Sequence, residues 1–315
     1  MSLLTWLCAA LTVALACYAV GHLFCALVVA LRRCPPRVFY APPPRAISVL
    51  IPARDEGPAA VRAIDSLLAQ DHAGPLEITL LLRDRQDSSL PFLASAWPEA
   101  ALKDGAERVT LCSTATRNVS VAFTGVDNKS DKINWMVRRV LTPLVAILDC
   151  DHQAHPDWLR TSICLMEEKG ARLIQGRRNP LMARGFFQLW DSLHQHVGCE
   201  LFNHAFTELG LTVFFTGTTL VMETELLRDH PLSQCITEDV NFSYEILLEG
   251  TRIIHNPYSG SDEELSPDLF SFLARRRRWA NGHTEAFLRH LGGIWRAIGR
   301  PGRDRPAAPQ AAGQH

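Results

Sequence analysis

Between Met1 and Leu31 the chain carries no Lys, Arg, Asp or Glu. A run this long exceeds the roughly 20 apolar residues that cross a bilayer as a helix. A secretory signal would start with basic residues and hold a shorter apolar core, whereas this chain starts Met-Ser-Leu-Leu. The segment 1–33 therefore reads as a transmembrane anchor. Arg32, Arg33 and Arg37 stand just beyond it, and the positive-inside rule places everything downstream in the cytoplasm as a single-pass protein. The proline-rich stretch 34–45 reads as a stiff linker. On that topology the sequons at Asn118 and Asn128 are chance matches.

The rest of the 315 residues is long enough for one large domain. A hydrophobic share of 47% supplies a core, and a formal charge of -1 argues against nucleic acid as a partner. Among the nine cysteines no C-x-x-C or Cys/His finger spacing occurs, so they read as small buried thiols in a reducing compartment. His194 and His196 sit two apart in a helical stretch, where side chains do not converge, and are not read as metal ligands. Phe186, Phe187 and Phe202 are read as core.

Short apolar runs at 46–51, 76–82 and 144–148, a weaker one at 108–112, and another at 171–176 predict strands. Helical patterns separate them: around Val61–Leu68, at 131–140 and at 156–169, with Pro156 in the first turn. Further strands are expected at 214–222 and 252–255, a glycine-ended helix at 238–250, and a very basic helix from 267 to about 291. The tail 300–315, rich in Pro, Ala, Gly and Gln, reads as disordered. Alternating strands and helices indicate an α/β domain around a mostly parallel sheet. Such sheets bind ligands beyond the carboxyl ends of their strands. The polar residues Asp55, Glu56, Asp84, Asp149 and Asp151 fall there.

Asp149 and Asp151, one residue apart at a strand end, suit one hard divalent cation that keeps positions free for phosphate oxygens. Such a cation offsets charge on a diphosphate leaving group. A solvated turn is the plain alternative. Glu238 and Asp239 open a helix, where the macrodipole alone favours acids; the chemical alternative makes Asp239 a general base. The run Arg275–Trp279 suits an interfacial helix, and equally a guanidinium fork for diphosphate with an indole for a sugar. Lys129 and Asn134 flank a helix start, where backbone N–H groups favour anions.

In order, these features are Pro52-Ala53-Arg54-Asp55-Glu56, Asp84, Lys129 to Asn134, Asp149-Cys150-Asp151, Phe215-Thr216-Gly217-Thr218, Thr237-Glu238-Asp239 and Arg275 to Arg278-Trp279. That order resembles the family-2 glycosyltransferases over residues 46–285. More narrowly, it looks like the membrane-associated branch with D, D-x-D, T-E-D and Q/R-x-x-R-W motifs, which includes cellulose, hyaluronan and chitin synthases and ceramide glucosyltransferase. The resemblance implies a GT-A nucleotide-diphospho-sugar transferase fold over 46–265, followed by basic interfacial helices over 266–299. It implies an inverting hexosyltransferase that moves a sugar from a nucleotide-sugar, most often a UDP-sugar with Mg2+ or Mn2+, to a membrane lipid or a growing polysaccharide. Carried over by position, Pro52, Ala53, Asp55, Glu56, Asp84, Lys129, Asn134 and Arg275 match donor-binding positions. Asp149 and Asp151 match the metal pair, and Thr216, Gly217, Thr218, Glu238 and Trp279 the acceptor side. Asp239, Arg278 and Trp279 match catalytic positions.

The chain departs from the family pattern at Arg83-Asp84-Arg85-Gln86-Asp87-Ser88, where a second acid and a glycine-serine turn are common. Arg275 stands where glutamine is usual, a variant of the lipid-glycosylating branch. The apolar stretch 288–298 is too short to span a bilayer, and one crossing makes no pore. Two alternatives stay open on the residues alone. One is a catalytically silent nucleotide-sugar-binding subunit, or a truncated synthase, working with other membrane subunits of a polysaccharide-export complex. The other is a nucleotidyltransferase on a related sheet.

Overall fold

The computed structural model describes residues 2–32, 39, 44–100, 102, 105–181 and 185–298. The tail and most of the proline-rich linker lie outside the described residues. Helix α1 (Leu3–Leu31) is apolar all round and long enough to cross a membrane. Most of it is exposed, but near its end Cys25 and Val28 are buried against Ala205, and His22 meets the edge of Phe202 at 4.5 Å.

The sheet domain then runs β1 (Ile47–Pro52), α2 (Pro58–Leu68), β2 (Leu76–Leu82), α3 (Leu90–Ala96), β3 (Arg108–Ser113), β4 (Arg117–Phe123), α4 (Lys129–Val137) and β5 (Leu144–Ile147). There follow β6 (His152–Ala154), α5 (Trp158–Lys169), β7 (Leu173–Pro180), α6 (Phe186–Gln195), a π-helical turn (His196–Leu201) and α7 (Phe202–Glu208). The chain closes with β8 (Leu220–Glu223), α8 (Thr224–Asp229), α9 (Glu238–Leu248), β9 (Ile254–Glu263) and the long α10 (Leu269–Ile298).

These strands form one nine-stranded sheet in the order β3-β4-β2-β1-β5-β8-β7-β9-β6. β1 and β2 are buried along almost their whole length, as expected of strands covered on both faces. One face packs under Ile64 and Leu67 of α2 and Trp158 and Ile163 of α5. The other packs under Ile133 and Val137 of α4, with Phe242 and Ile246 of α9.

The sheet is mixed rather than mostly parallel. β4, β2, β1 and β5 are parallel, whereas β8 runs antiparallel to both β5 and β7, and β3 and β6 pair antiparallel at the edges. Apolar runs report burial on both faces, not direction; β3 and β4 are joined too closely for any pairing but a hairpin. The predicted strand over 214–222 shrinks to β8, because Gly217 and Thr219 take positive φ of 81° and 55° and bend the chain out of the ladder. β9 extends to Glu263, and α10 passes straight through Gly292 and Gly293. Phe186 and Phe187 are not core: both lie on the exposed apolar face of α6. Cys8 and Cys17 are exposed on α1, whereas Cys25 and Cys150 are buried.

Candidate active site

Parallel pairing of β1, β2 and β5 brings three sequence-distant loops to one edge of the sheet. Glu56, Asp149 and Asp151 open there into a cavity of about 570 Å³. β8 starts beside the exit of β5, with Leu220 opposite Ile147. The loop before it therefore faces Asp149, whose N–H donates to Thr218 Oγ1 at 2.9 Å. Gly217 is required here: beyond its φ of 81°, a β-carbon would stand 3.3 Å from Asp239 Oδ2 and 3.5 Å from Lys129 Nζ.

Lys129 ties the centre together. Its ammonium donates to Asp149 Oδ1 at 2.7 Å, to Asp149 Oδ2 at 2.8 Å and to the Gly217 carbonyl at 2.8 Å, with Glu238 Oε1 at 3.8 Å. Burial alone would lower its pKa; Asp149, Glu238 and Asp239 carry it above the ordinary lysine value instead. The acids are crowded. Burial, Asp149 and Glu263 push Asp151 up to about 7, against the pull of Arg178 and Lys129. Burial raises Glu56, with Asp149 and Asp87 adding to it. Burial also raises Asp239, partly offset by the Val240 N–H that binds its Oδ1 at 2.8 Å. Oδ2 of Asp239 faces the Gly217 loop and the cavity.

Helix α10 forms the cavity's outer wall with Arg275, Arg278 and Trp279. Its position is set at several points along α9, where His290 bonds Asn241 at 3.0 Å and stacks on Tyr244, and at two points beside the cavity. The fully buried Asp191 on α6 holds the guanidinium of Arg275 and, at 2.9 Å, that of Arg276. One turn beyond Arg278, Gly282 lies directly on Thr237, so closely that a β-carbon there would be 2.6 Å from Thr237 Oγ1. The indole of Trp279 carries the Arg276 guanidinium 4.8 Å from its ring centre and that of Arg275 at 5.4 Å. Arg278 is exposed and makes no ion pair among the described residues.

The structure thus gathers Pro52, Ala53, Glu56, Lys129, Asp149, Asp151, Thr216, Gly217, Thr218, Glu238, Asp239, Arg275, Arg278 and Trp279 around one cavity. Three expected positions lie elsewhere. Asp55 and Asp84 line an adjoining recess of about 240 Å³ that shares Arg54 and Asp127 with the main cavity. In it, Asp55 and the turn after β2 brace each other through Asp55 N–H to Asp87 and Ser88 N–H to Asp55, each at 3.0 Å. Asn134 faces away, its amide bonded both ways to the backbone of Leu232 at 2.7 and 2.9 Å. Arg275 is engaged by Asp191 and Thr218 by Asp149, so each acts first as a brace.

Sequence reasoning missed the far wall. Glu263, at the end of β9, is buried with the guanidinium of Arg178, the Gln195 amide and, at 3.3 Å, His152. His152 is lowered to about 3 by burial and by Arg178. Lys132, one helical turn after Asn128, also lines the cavity and is buried. Arg178 and Glu263 lie in strand ends that no motif marks; only Lys132, in a helix that was otherwise read, carried a usable signal.

Among the described residues no group of three His, Cys, Asp or Glu side chains is arranged as a metal site. Both oxygens of Asp149 are taken by Lys129, whereas Asp151 lines the cavity and no Lys or Arg among the described residues pairs with it. An oxygen donor among crowded acids suits Mg2+ or Mn2+, with donor phosphates completing the shell. The residues fit such an ion through Asp151, and through Asp149 once Lys129 moves aside.

The description "Glycosyl transferase family group 2" matches residues 144–301. No curated protein matches the sequence. Among solved structures, the mannosyltransferase PcManGT from Pyrobaculum calidifontis, in complex with GDP-Man and Mn2+, aligns with a TM-score of 0.61 at 17% identity. That alignment covers 95% of this chain and 78% of the other. The S. aureus TarS 1–349 structure in complex with UDP-GlcNAc aligns at a TM-score of 0.47 and 14% identity, over 72% of this chain and 60% of the other. The first likeness shows a shared GT-A fold, and the matched span takes in Asp149, Asp151, Asp239 and Arg278. On that match, which spans half of its residues, the chain belongs to glycosyl transferase family group 2 and is a glycosyltransferase.

Proposed function

We propose that the protein is a membrane-anchored, metal-dependent, inverting transferase that moves a sugar from a nucleoside-diphosphate donor to a hydroxyl presented at a bilayer. A single observation carries this reading: Oδ2 of Asp239, the Asp149–Asp151 pair and Arg278, which has no ion pair among the described residues, face one cavity at the strand ends. In this reading the donor base enters the recess at Asp84, and its diphosphate lies between Asp151, Lys129 and Arg278. A divalent cation bound at Asp151 would offset charge on the diphosphate. The acceptor oxygen attacks the anomeric carbon in line, and its proton passes to Asp239 Oδ2. The bond from the anomeric carbon to the diphosphate oxygen breaks, and the nucleoside diphosphate leaves with the electron pair beside Arg278. Trp279 offers an apolar face to the acceptor sugar or headgroup.

Support for a bilayer acceptor comes from α1, whose last turns pack on α7 and so tie the apolar helix to the sheet domain. The catalytic unit would comprise residues 46–265, with α10 as the interfacial element and the cytoplasm as its compartment. The acceptor is then a membrane lipid or a growing polysaccharide held at the surface. Nucleotide release by the full chain in lipid nanodiscs tests this. A panel of UDP-, GDP- and TDP-sugars is offered with Mn2+ or Mg2+, with Asp239→Asn as control. Metal-dependent release from one donor, absent in the control, is expected. Donor binding without release from any sugar would instead favour the silent-subunit reading.

A further inference from the structure

β7 carries one residue that its place in the sheet does not explain. Side chains alternate across a strand, so Gln175 shares the face of Leu173, which packs in the core with Phe215 and Leu220. Ile174 between them belongs to the core on the other face. An amide buried on an apolar face opposes folding unless it is bonded, and Gln175 is 1% exposed. Apart from a 3.1 Å contact with the neighbouring Gly176 carbonyl, its bonds all go to one loop. Oε1 accepts the Thr216 N–H at 3.1 Å, and Nε2 donates to the carbonyls of Thr218 at 2.9 Å and Thr219 at 3.3 Å.

The strand pairing shows what the amide replaces. β7 and β8 pair up to Gln175 opposite Leu220, and the Gly176 N–H still reaches the Thr219 carbonyl at 2.7 Å. Thr219 and Gly217, at φ of 55° and 81°, then carry the chain out of the ladder. The backbone groups that leave it need other partners, and the Gln175 side chain supplies them. Positive φ is a genuine outlier for a β-branched residue, and such a conformation persists only where the surroundings hold it. The Gln175 amide holds Thr219 from one side and the Ser261 hydroxyl, 2.5 Å from Thr219 Oγ1, from the other. The loop thus held touches both halves of the chemistry. The Gly217 carbonyl takes the Lys129 ammonium at 2.8 Å, Thr218 Oγ1 takes the Asp149 N–H at 2.9 Å, and Gly217 faces Asp239 Oδ2.

We infer that Gln175 is a positioning residue: its amide stands in for a strand partner and holds the loop Thr216–Thr219 so that Asp149 and Asp239 keep their spacing across the cavity. This rests on the transferase reading given above. Gln175 is not among the residues that line the cavity, so it acts through the loop and not on the donor. Lys129 keeps both oxygens of Asp149 if the loop shifts, and donor binding is therefore spared while the alignment of base and acceptor is lost.

The test compares wild type, Gln175→Met and Gln175→Glu as full chains in nanodiscs. Methionine keeps the length and suits the apolar face, whereas glutamate keeps the oxygen for Thr216 but brings no amide donor. Three quantities are read: amide exchange over 214–219, calorimetric affinity for UDP and GDP with Mn2+, and nucleotide release from UDP-, GDP- and TDP-sugars. Both variants should melt cooperatively, with exchange in the loop at least about tenfold faster and the rest of the sheet still protected. Turnover should fall about 10²-fold, as for a displacement of about 1 Å between reacting groups, with nucleotide affinity within about twofold of wild type. Unchanged exchange in a folded Gln175→Met overturns the inference and leaves the proposed function standing. So does a loosened loop with wild-type turnover, or a loss of affinity as large as the loss of turnover. Failure of both variants to fold overturns it too, since the amide would then serve the core. Wild type that releases no nucleotide from any donor refutes the transferase reading itself, while the exchange rates still decide whether Gln175 holds the loop.

Discussion

A single methyl group at Gly282 should separate the two halves of the active site. α10 lies against the start of α9 through Gly282, where a β-carbon would be 2.6 Å from Thr237 Oγ1 and 2.9 Å from Thr237 Cβ. Rotation of the threonine relieves the first contact but not the second, because Cβ does not move with χ1. The helix must then retreat by about 1 Å to recover ordinary carbon–carbon separation of ~3.5–4 Å. Arg278 and Trp279 ride on the preceding turn and move with it, while Asp239, two residues past Thr237, stays with α9. A displacement of this size between reacting groups costs about 10²-fold in turnover. Gly282→Ala should therefore lower nucleotide release by roughly that factor. Gly292 on the same helix is the control: a β-carbon there meets nothing within 4 Å. Gly292→Ala should keep wild-type turnover and raise stability by about 1 kcal/mol through helix propensity. Turnover of Gly282→Ala within twofold of wild type would refute the idea that this contact registers α10 against the base.

Three further outcomes are expected. Asp239→Asn should reduce turnover by about 10²–10⁴-fold while donor affinity, measured by calorimetry, changes little; lost affinity with intact turnover would remove Asp239 from the role of base. Burial raises the Asp239 carboxyl, and in the proposed role of base the ionised form is the active one. The acid limb of the pH–rate profile should therefore fall away at a pH above the ~3.9 of an ordinary aspartate, and activity should be lost as pH drops through it. Asp151→Asn should abolish Mn2+-dependent release, a result contradicted by near-normal activity across added metals. Asp191→Ala should destabilise the fold by about 3 kcal/mol, the low end for breaking a buried pair because Arg275 and Arg276 keep some solvent access. An unchanged melting temperature would show that the α6–α10 clamp contributes little.

Much of the site could be read along the chain because its acids sit at strand ends, and strand ends are marked by apolar runs that stop. Val145–Leu148 announces Asp149, and Ile47–Ile51 announces Asp55 and Glu56. What could not be read is how each polar group is used. Asn134 and Arg275 have the right chemistry for a phosphate, yet the first is bonded to Leu232 and the second to Asp191. Both partners are far away in sequence, and hydrogen-bond partners at that distance leave no periodic trace. For the same reason Phe186 and Phe187 looked like core: composition registers apolar character, while exposure depends on what packs across the helix.

Local pattern alone determined the apolar N-terminal helix, the alternation of strands and helices and the strand-end places of Asp55, Glu56, Asp149 and Asp151, because period and burial act over neighbouring residues. Tertiary structure decided the rest. The antiparallel entry of β8, the positive φ at Gly217 and the close seat of Gly282 on Thr237 bring Asp149, Asp239 and Arg278 to one cavity. Each is a contact between segments dozens of residues apart, settled by which surfaces fit and which buried charges find a partner.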